Sequence, residues 1–234
     1  MAGASTTATI RPLTVADRDA CVAVENAAFA NPAHRASPEK FTYRLTVCPE
    51  ACLGLFFVPS SAAAATDGEL VAHVIATRCR GPRVTDASMG LPADWRTATT
   101  APATAPAAAA AATPAHGAAQ PPTPPPPPPP PSPLGNEPDG RTVAVHSLAV
   151  APAVQGRGYG TQLVRAYLQR LADTGRDLDP PVDRVALICQ DYLVGYYEKL
   201  AFVNLGPSAA QFGGGGWFDM VYDLRKSGVA SNEP

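Results

Sequence analysis

Apolar positions recur along this chain at two spacings. Residues 142–150, Thr-Val-Ala-Val-His-Ser-Leu-Ala-Val, form a nearly unbroken apolar run, the signature of a buried strand. Residues 9–13, 53–58, 69–77, 184–189, 202–205 and 217–224 read as further strands. Helical spacing begins at residue 17, where Cys21, Val24, Ala28 and Phe29 share one face until Asn31-Pro32 breaks it. Ser37 before Pro38 reads as an N-cap with proline at the first helical position, and this second helix stops ahead of Pro49. Helical patterns return at 158–173 and 193–200. Strand, two helices, three strands, helix, strand, helix and two strands predict an α+β fold around a mixed, mainly antiparallel sheet flanked by helices.

Composition interrupts this pattern once. Between residues 97 and 140 the chain is dominated by Ala, Thr and Pro and includes the unbroken run Pro124–Pro131. Proline donates no backbone hydrogen bond, and such a stretch buries too little surface to offset its ordering entropy. It is expected to be a disordered insertion between the third and fourth strands, because both flanks are needed for one sheet. One domain over 1–226, with a flexible tail at 227–234, is the expected organisation. The proline run reads as a spacer or as a docking segment for SH3, WW or profilin-like partners.

Charge and cysteine content narrow the partners. The net charge is −2 and no basic surface for nucleic acid is indicated. No apolar run reaches membrane-spanning length, and the N-terminus has neither the basic nor the apolar region of a secretory signal. The five cysteines, 21, 48, 52, 79 and 189, make no metal-like set. Reduced structural thiols, a cytoplasmic location, no metal and a monomer are expected.

The chemistry-bearing stretch is Gln155-Gly156-Arg157-Gly158-Tyr159-Gly160-Thr161, between the 142–150 strand and a helix. Backbone N–H groups opening a helix lack intrahelical partners, and the helix dipole favours negative charge there, so this is a phosphate socket. Glycine lets a pyrophosphate approach the backbone. A P-loop would need Lys after the last glycine, and a dinucleotide fold needs G-x-G-x-x-G; neither spacing is present. Gln155-x-x-Gly158-x-Gly160 does fit Q/R-x-x-G-x-G/A, the pyrophosphate loop of the GNAT acetyltransferases.

With that loop, the chain resembles the GNAT superfamily, and within it the arylalkylamine N-acetyltransferase branch and the fungal polyamine acetyltransferases. Matching pieces are Ala28-Phe29, Leu45–Glu50, Gly68–Ala72, His146–Val150, Ala186–Asp191 and Leu193–Phe202, in family order over roughly residues 8 to 225. The resemblance implies a GNAT fold and acetyl-CoA as cosubstrate. It implies that Leu148, Ala149 and Val150 hold the pantetheine arm by backbone pairing at a splay in the sheet. Gln155, Gly156, Arg157, Gly158, Tyr159, Gly160 and Thr161 would hold the pyrophosphate. His146 matches the second of two strand histidines that relay protons through water in the arylalkylamine branch; the first falls on Ala144. Tyr197, in Tyr196-Tyr197-Glu198-Lys199-Leu200, matches the tyrosine that protonates the leaving thiolate.

Physical requirements agree with these assignments. A lysine-like amine of pKa near 10.4 costs about 4.6 kcal/mol to deprotonate at neutral pH, so a base is needed. Imidazole titrates near neutrality and phenol stays protonated there. Cys189 has no apparent activating base, so direct attack without an acetyl-enzyme is expected. The acceptor is expected to be a small primary amine. The acceptor loop, residues 31–38, lacks the Cys-Pro pair of the arylalkylamine enzymes, which favours spermine or spermidine, with Glu25, Glu39, Glu50, Asp191 and Asp219 as available carboxylates. An arylalkylamine is the alternative, and a non-catalytic CoA-binding interaction protein the other.

Overall fold

The computed structural model describes residues 6–59, 68–98 and 134–226. Seven strands form one sheet: β1 (Thr6–Pro12), β2 (Leu53–Pro59), β3 (Glu69–Cys79), β4 (Thr142–Val150), β5 (Arg184–Cys189), β6 (Val203–Pro207) and β7 (Phe218–Asp223). The order across the sheet is β1-β2-β3-β4-β5-β7-β6. Only β4 and β5 run parallel; every other neighbour is antiparallel. The parallel pair needs a crossover, which the helix Tyr159–Thr174 supplies. The helices are α1 (Arg18–Ala28), α2 (Pro38–Val47), the short α3 (Trp95–Ala98), α4 (Tyr159–Thr174) and α5 (Val194–Glu198). The mixed, mainly antiparallel sheet expected from the sequence is present, with residues 99–133 between β3 and β4.

Each sheet face carries its own core. Val74, Val143, Val145, Val185 and Leu187 pack with Leu163, Val164 and Tyr167 of α4. On the other face, Ile75 and Ala149 pack with Cys21 and Val24 of α1 and Phe41 and Leu45 of α2. All five cysteines are free and buried. No helix among the described residues is long and apolar enough to cross a membrane.

Two features of β4 build the site. Its register with β5 ends at Val145 opposite Leu187, although β5 goes on pairing with β7 as far as Cys189. Beyond that point β4 and β5 fork. Against β3, Ile75 faces Ser147 and Ala76 faces Val145, so His146 is the extra residue of a β-bulge. The bulge sends His146 and Ser147 to the same face: His146 reaches Thr77, and Ser147 reaches His73 and Glu25.

The expected insertion is too long at its C-terminal end. Residues 134–140 belong to the packed fold. The amide of Asn136 donates to the Tyr43 hydroxyl at 2.9 Å, and its side-chain oxygen accepts from the Arg78 amide at 2.9 Å. Glu137 and Asp139 pair with Arg80. The expectations for 99–133, with the proline run, and for the tail at 227–234 lie outside the described residues.

Candidate active site

The glycine loop opens α4 as a socket. Gly158 is the N-cap with φ +85°, and Gly156 has φ +72°. A Cβ at either would meet no atom of the chain, and the left-handed backbone itself favours glycine there. Gly160 is constrained by contact instead: an added Cβ would lie 3.3 Å from the Tyr196 hydroxyl. The first helical bond runs from the Gln162 amide to the Gly158 carbonyl at 2.9 Å, leaving the amides of Tyr159, Gly160 and Thr161 without helical partners.

This socket ends a cleft of about 640 Å3 lined by Leu148, Ala149 and Val150 of β4, by Gln155, Gly156, Gly158, Tyr159, Gly160 and Thr161, and by Tyr196 and Tyr197 of α5. Every loop residue singled out from the sequence is in this lining except Arg157, whose side chain is exposed outside it. The Gln155 side chain points back, Nε2 donating to the Val150 carbonyl at 2.9 Å, so its role is to brace the loop against β4. The cleft suits a long, thin, phosphorylated ligand: unpaired amides at one end and the unpaired edge of β4 along its length. A coenzyme A derivative has that shape and chemistry, and the residues present fit it.

A second cavity, about 90 Å3, lies on the other side of the fork. Its floor is buried (Val145, Ser147, Leu187, Cys189), and its more exposed wall is aromatic (Phe29, His34, Tyr192, Phe212, Trp217). His146 lines it. Tyr197 and Leu148 line both cavities, so the two meet there. The aromatic wall comes from distant segments. Asn31 caps the turn Pro32–His34, and the His34 ring lies 5.0 Å from that of Trp217. Asp86 accepts from the amides of Gln211 and Phe212 at 2.9 Å each, fixing the glycine-rich turn.

His146 Nε2 is 2.7 Å from the Thr77 hydroxyl, and its Nδ1 is buried without a partner among the described residues. Burial, then the charges of Arg44 and Lys40, push its pKa well below the usual 6.5, so the ring is neutral at physiological pH. Tyr197 is 6% exposed, and burial pushes its phenol upward, keeping it protonated. The Tyr196 hydroxyl lies beside Gly160 of the loop, whereas Tyr197 also lines the second cavity, which separates the roles of the adjacent tyrosines. Burial raises the Cys189 thiol to about 11, which leaves it without thiolate at neutral pH. Ala144 is fully buried among Cys79, Met89 and Ala186 and carries no chemistry.

None of the carboxylates named from the sequence lines the second cavity. Glu50 accepts from the Cys48 thiol, Asp219 pairs with Arg83, and Glu25 is engaged with His73 and Ser147. Sequence reading named Glu25 only as an acceptor carboxylate and missed its partners His73 and Ser147, together with Thr77. Glu25 is 1%, His73 0% and Ser147 4% exposed. They lie on α1, β3 and β4, and only the sheet register brings them together.

The chain as a whole aligns with solved structures at low sequence identity. The loading GNATL domain of CurA from Lyngbya majuscula aligns over 94% of this chain and 99% of its own, with TM-score 0.58 and 12% identity. This is the GNAT fold. A GNAT-like decarboxylase, GphF, solved with isobutyryl-CoA, covers 93% of this chain and 100% of its own at TM-score 0.54 and 17% identity. The sequence profile of the Acetyltransferase (GNAT) family matches residues 122–202, which take in the fork, the glycine loop and Tyr197 of this GNAT fold. Serotonin N-acetyltransferase of Mesocricetus auratus is 26% identical over 80% of this chain and 62% of its own length. The chain spans less than two thirds of the length of the curated relatives it matches.

Proposed function

We propose that this GNAT-fold chain is an acetyl-CoA-dependent N-acetyltransferase acting on the primary amine of a small acceptor with an aromatic or apolar body. The observation that carries the reading is the meeting of two cavities at Leu148 and Tyr197, one ending in a phosphate socket and the other holding a neutral histidine. The amides of Tyr159, Gly160 and Thr161 would hold the pyrophosphate, and the free edge of β4 from Leu148 to Val150 the pantetheine arm. Bound there, acetyl-CoA supplies a thioester acyl group.

The chain's own groups divide the proton work. His146, which lines the second cavity, accepts the amine proton, its ring held in place by the Thr77 hydroxyl at Nε2. Thr77 is thereby a positioning residue that fixes the ring. Tyr197 holds a proton at its hydroxyl for the departing thiolate. The protonated Cys189 thiol supports direct attack without an acetyl-enzyme. Lys40 and Arg44, whose charges already depress His146, would also disfavour the ammonium form of an acceptor and so favour the nucleophilic free base.

The same field weighs on acceptor choice. A spermine-like polycation needs carboxylates along its groove, and the cavity lining has none. The aromatic wall instead offers surfaces for a ring beside a narrow floor with room for an aminoalkyl end. The similarity to serotonin N-acetyltransferases supports an arylalkylamine-type acceptor. Steady-state turnover with acetyl-CoA and a panel of tryptamine, phenylethylamine, spermidine and putrescine tests this. Tryptamine or phenylethylamine should give the highest kcat/KM. Preference for spermidine would restore the polyamine reading, and no turnover of any of the four would overturn the proposal.

A further inference from the structure

Beneath the aromatic wall lies a buried polar cluster that the acetyl-transfer scheme does not use. The Glu25 carboxylate, on α1, receives three hydrogen bonds from three different parts of the chain. The Ala36 amide, at the end of the acceptor-side loop, donates to Oε1 at 3.0 Å. The Ser147 hydroxyl, on β4, donates to Oε2 at 2.5 Å. His73 Nε2, on β3, lies 3.2 Å from the same oxygen and 3.0 Å from the Ser147 hydroxyl oxygen. One hydrogen-bond pattern satisfies all of these contacts. His73 carries its proton on Nε2 and donates to both oxygens, and Ser147 donates to the carboxylate. Nδ1, unpartnered among the described residues, is then a bare lone pair, which is cheaper to bury than an N–H.

The placement of the three donors is informative. Ser147 is the residue next to the bulge, so anchoring its hydroxyl fixes the backbone on one side of His146. Thr77 fixes the ring of His146 itself. Ala36 closes the segment that carries Phe29 and His34, both in the wall of the acceptor cavity. A single carboxylate therefore ties the strand bearing the base to the loop that faces the acceptor. A buried carboxylate is costly unless donors meet it, and here three donors from three separate segments do so.

We propose that Glu25 is a positioning residue for the acceptor half of the site, setting the His146 bulge through Ser147 and the acceptor loop through Ala36. The inference rests on the acetyltransferase reading for its kinetic consequences but not for its structural one. Ser147 passes on only the first of the two effects, so the two residues have separable signatures.

The test compares Glu25→Gln and Ser147→Ala with the wild-type chain by hydrogen exchange and by kinetics. In Glu25→Gln the Ala36 amide should exchange at least tenfold faster, while the amides of β5 and α4 keep their wild-type rates. In Ser147→Ala the Ala36 amide should be unchanged. With the best amine of the panel, Ser147→Ala should lower kcat about tenfold at nearly constant amine KM. Glu25→Gln should lower kcat and raise amine KM severalfold. Neither should move the acetyl-CoA KM more than twofold. If Glu25→Gln proves too unstable to purify, Glu25→Asp, which keeps the charge and shortens the reach, takes its place with the same expected pattern. Unchanged exchange at Ala36 in a folded Glu25 variant would overturn the inference, as would equal losses toward amine and acetyl-CoA. A wild-type chain inactive on every amine would count against the acetyltransferase reading alone, because the exchange at Ala36 still decides this one.

Discussion

Tyr197 stands where the two cavities meet, with a phenol that burial keeps protonated. On the proposed reading, Tyr197→Phe should lower kcat by about a hundredfold, the lower end of what a general acid contributes. Acetyl-CoA affinity, measured by calorimetry, should stay within twofold; unchanged turnover would remove the hydroxyl from the mechanism. His146 has the opposite displacement. Its folded pKa lies well below 6.5, so it remains neutral as pH falls through the usual histidine range. The enzyme-derived acidic limb of kcat/KM for the amine should therefore fall below pH 6.5, and His146→Gln should abolish it. The sign is reversed for stability, because protons bind the unfolded histidine first and favour unfolding as pH drops below 6.5. At Gly158 the left-handed φ makes Gly158→Ala cost about 1–2 kcal/mol, measurable by urea titration, along with weaker acetyl-CoA binding.

Elements brought these residues together in ways the sequence discloses unevenly. β4 and β5 were legible to the residue, because their apolar runs are bounded by polar and turn residues. The N-cap Ser37 before Pro38 placed α2 equally well. The bulge at His146 was not legible: a one-residue slip between neighbouring strands leaves no mark on an apolar run that reads the same on either face. The Glu25, His73 and Ser147 group was hidden for a related reason. Its members are 48 and 122 positions from Glu25, and only the β3–β4 register and the packing of α1 make them neighbours. Residues 134–140 were assigned to the insertion because they adjoin the Ala, Thr and Pro stretch, whereas Asn136 makes contacts that composition cannot reveal. Burial would raise the Glu25 carboxyl, but hydrogen bonds from His73, then from Ser147 and Ala36, outweigh it and hold it below its ordinary 4.5. A depressed carboxylate stabilises the fold fully above its unfolded pKa and loses that contribution as pH falls through the lower, folded one. Between pH 7 and 3 the wild-type chain should therefore lose more stability than Glu25→Gln, as read by denaturant midpoints at each pH. Parallel curves would place the ionised carboxylate outside the acid response.

Across the whole molecule, the segment joining β3 to β4 is secured at both ends by its own contacts. Met89 is held by Arg44, and Gly135 by the Ala87 carbonyl. Loop-closure entropy changes only slowly with length. Excising residues 104–129 should therefore leave the melting temperature within about 2 °C and amine turnover within twofold, given that about 1 kcal/mol shifts a domain of this size by only a few degrees. A larger loss would give the excised stretch a part in the fold or the chemistry.

The fork between β4 and β5 has a consequence for the protein's life in solution. Two strands that separate in mid-sheet leave inward-facing edges with unanswered hydrogen-bonding groups, the feature that makes β-proteins prone to sticking to one another. A ligand that lies along β4 acts as a temporary eighth strand. Saturation at a hundredfold excess over Kd corresponds to about 2.7 kcal/mol of added stability. If the proposed reading holds, the chain should be most prone to self-association when acetyl-CoA is scarce, so that the supply of the acyl donor would govern how long the protein persists as well as how fast it works.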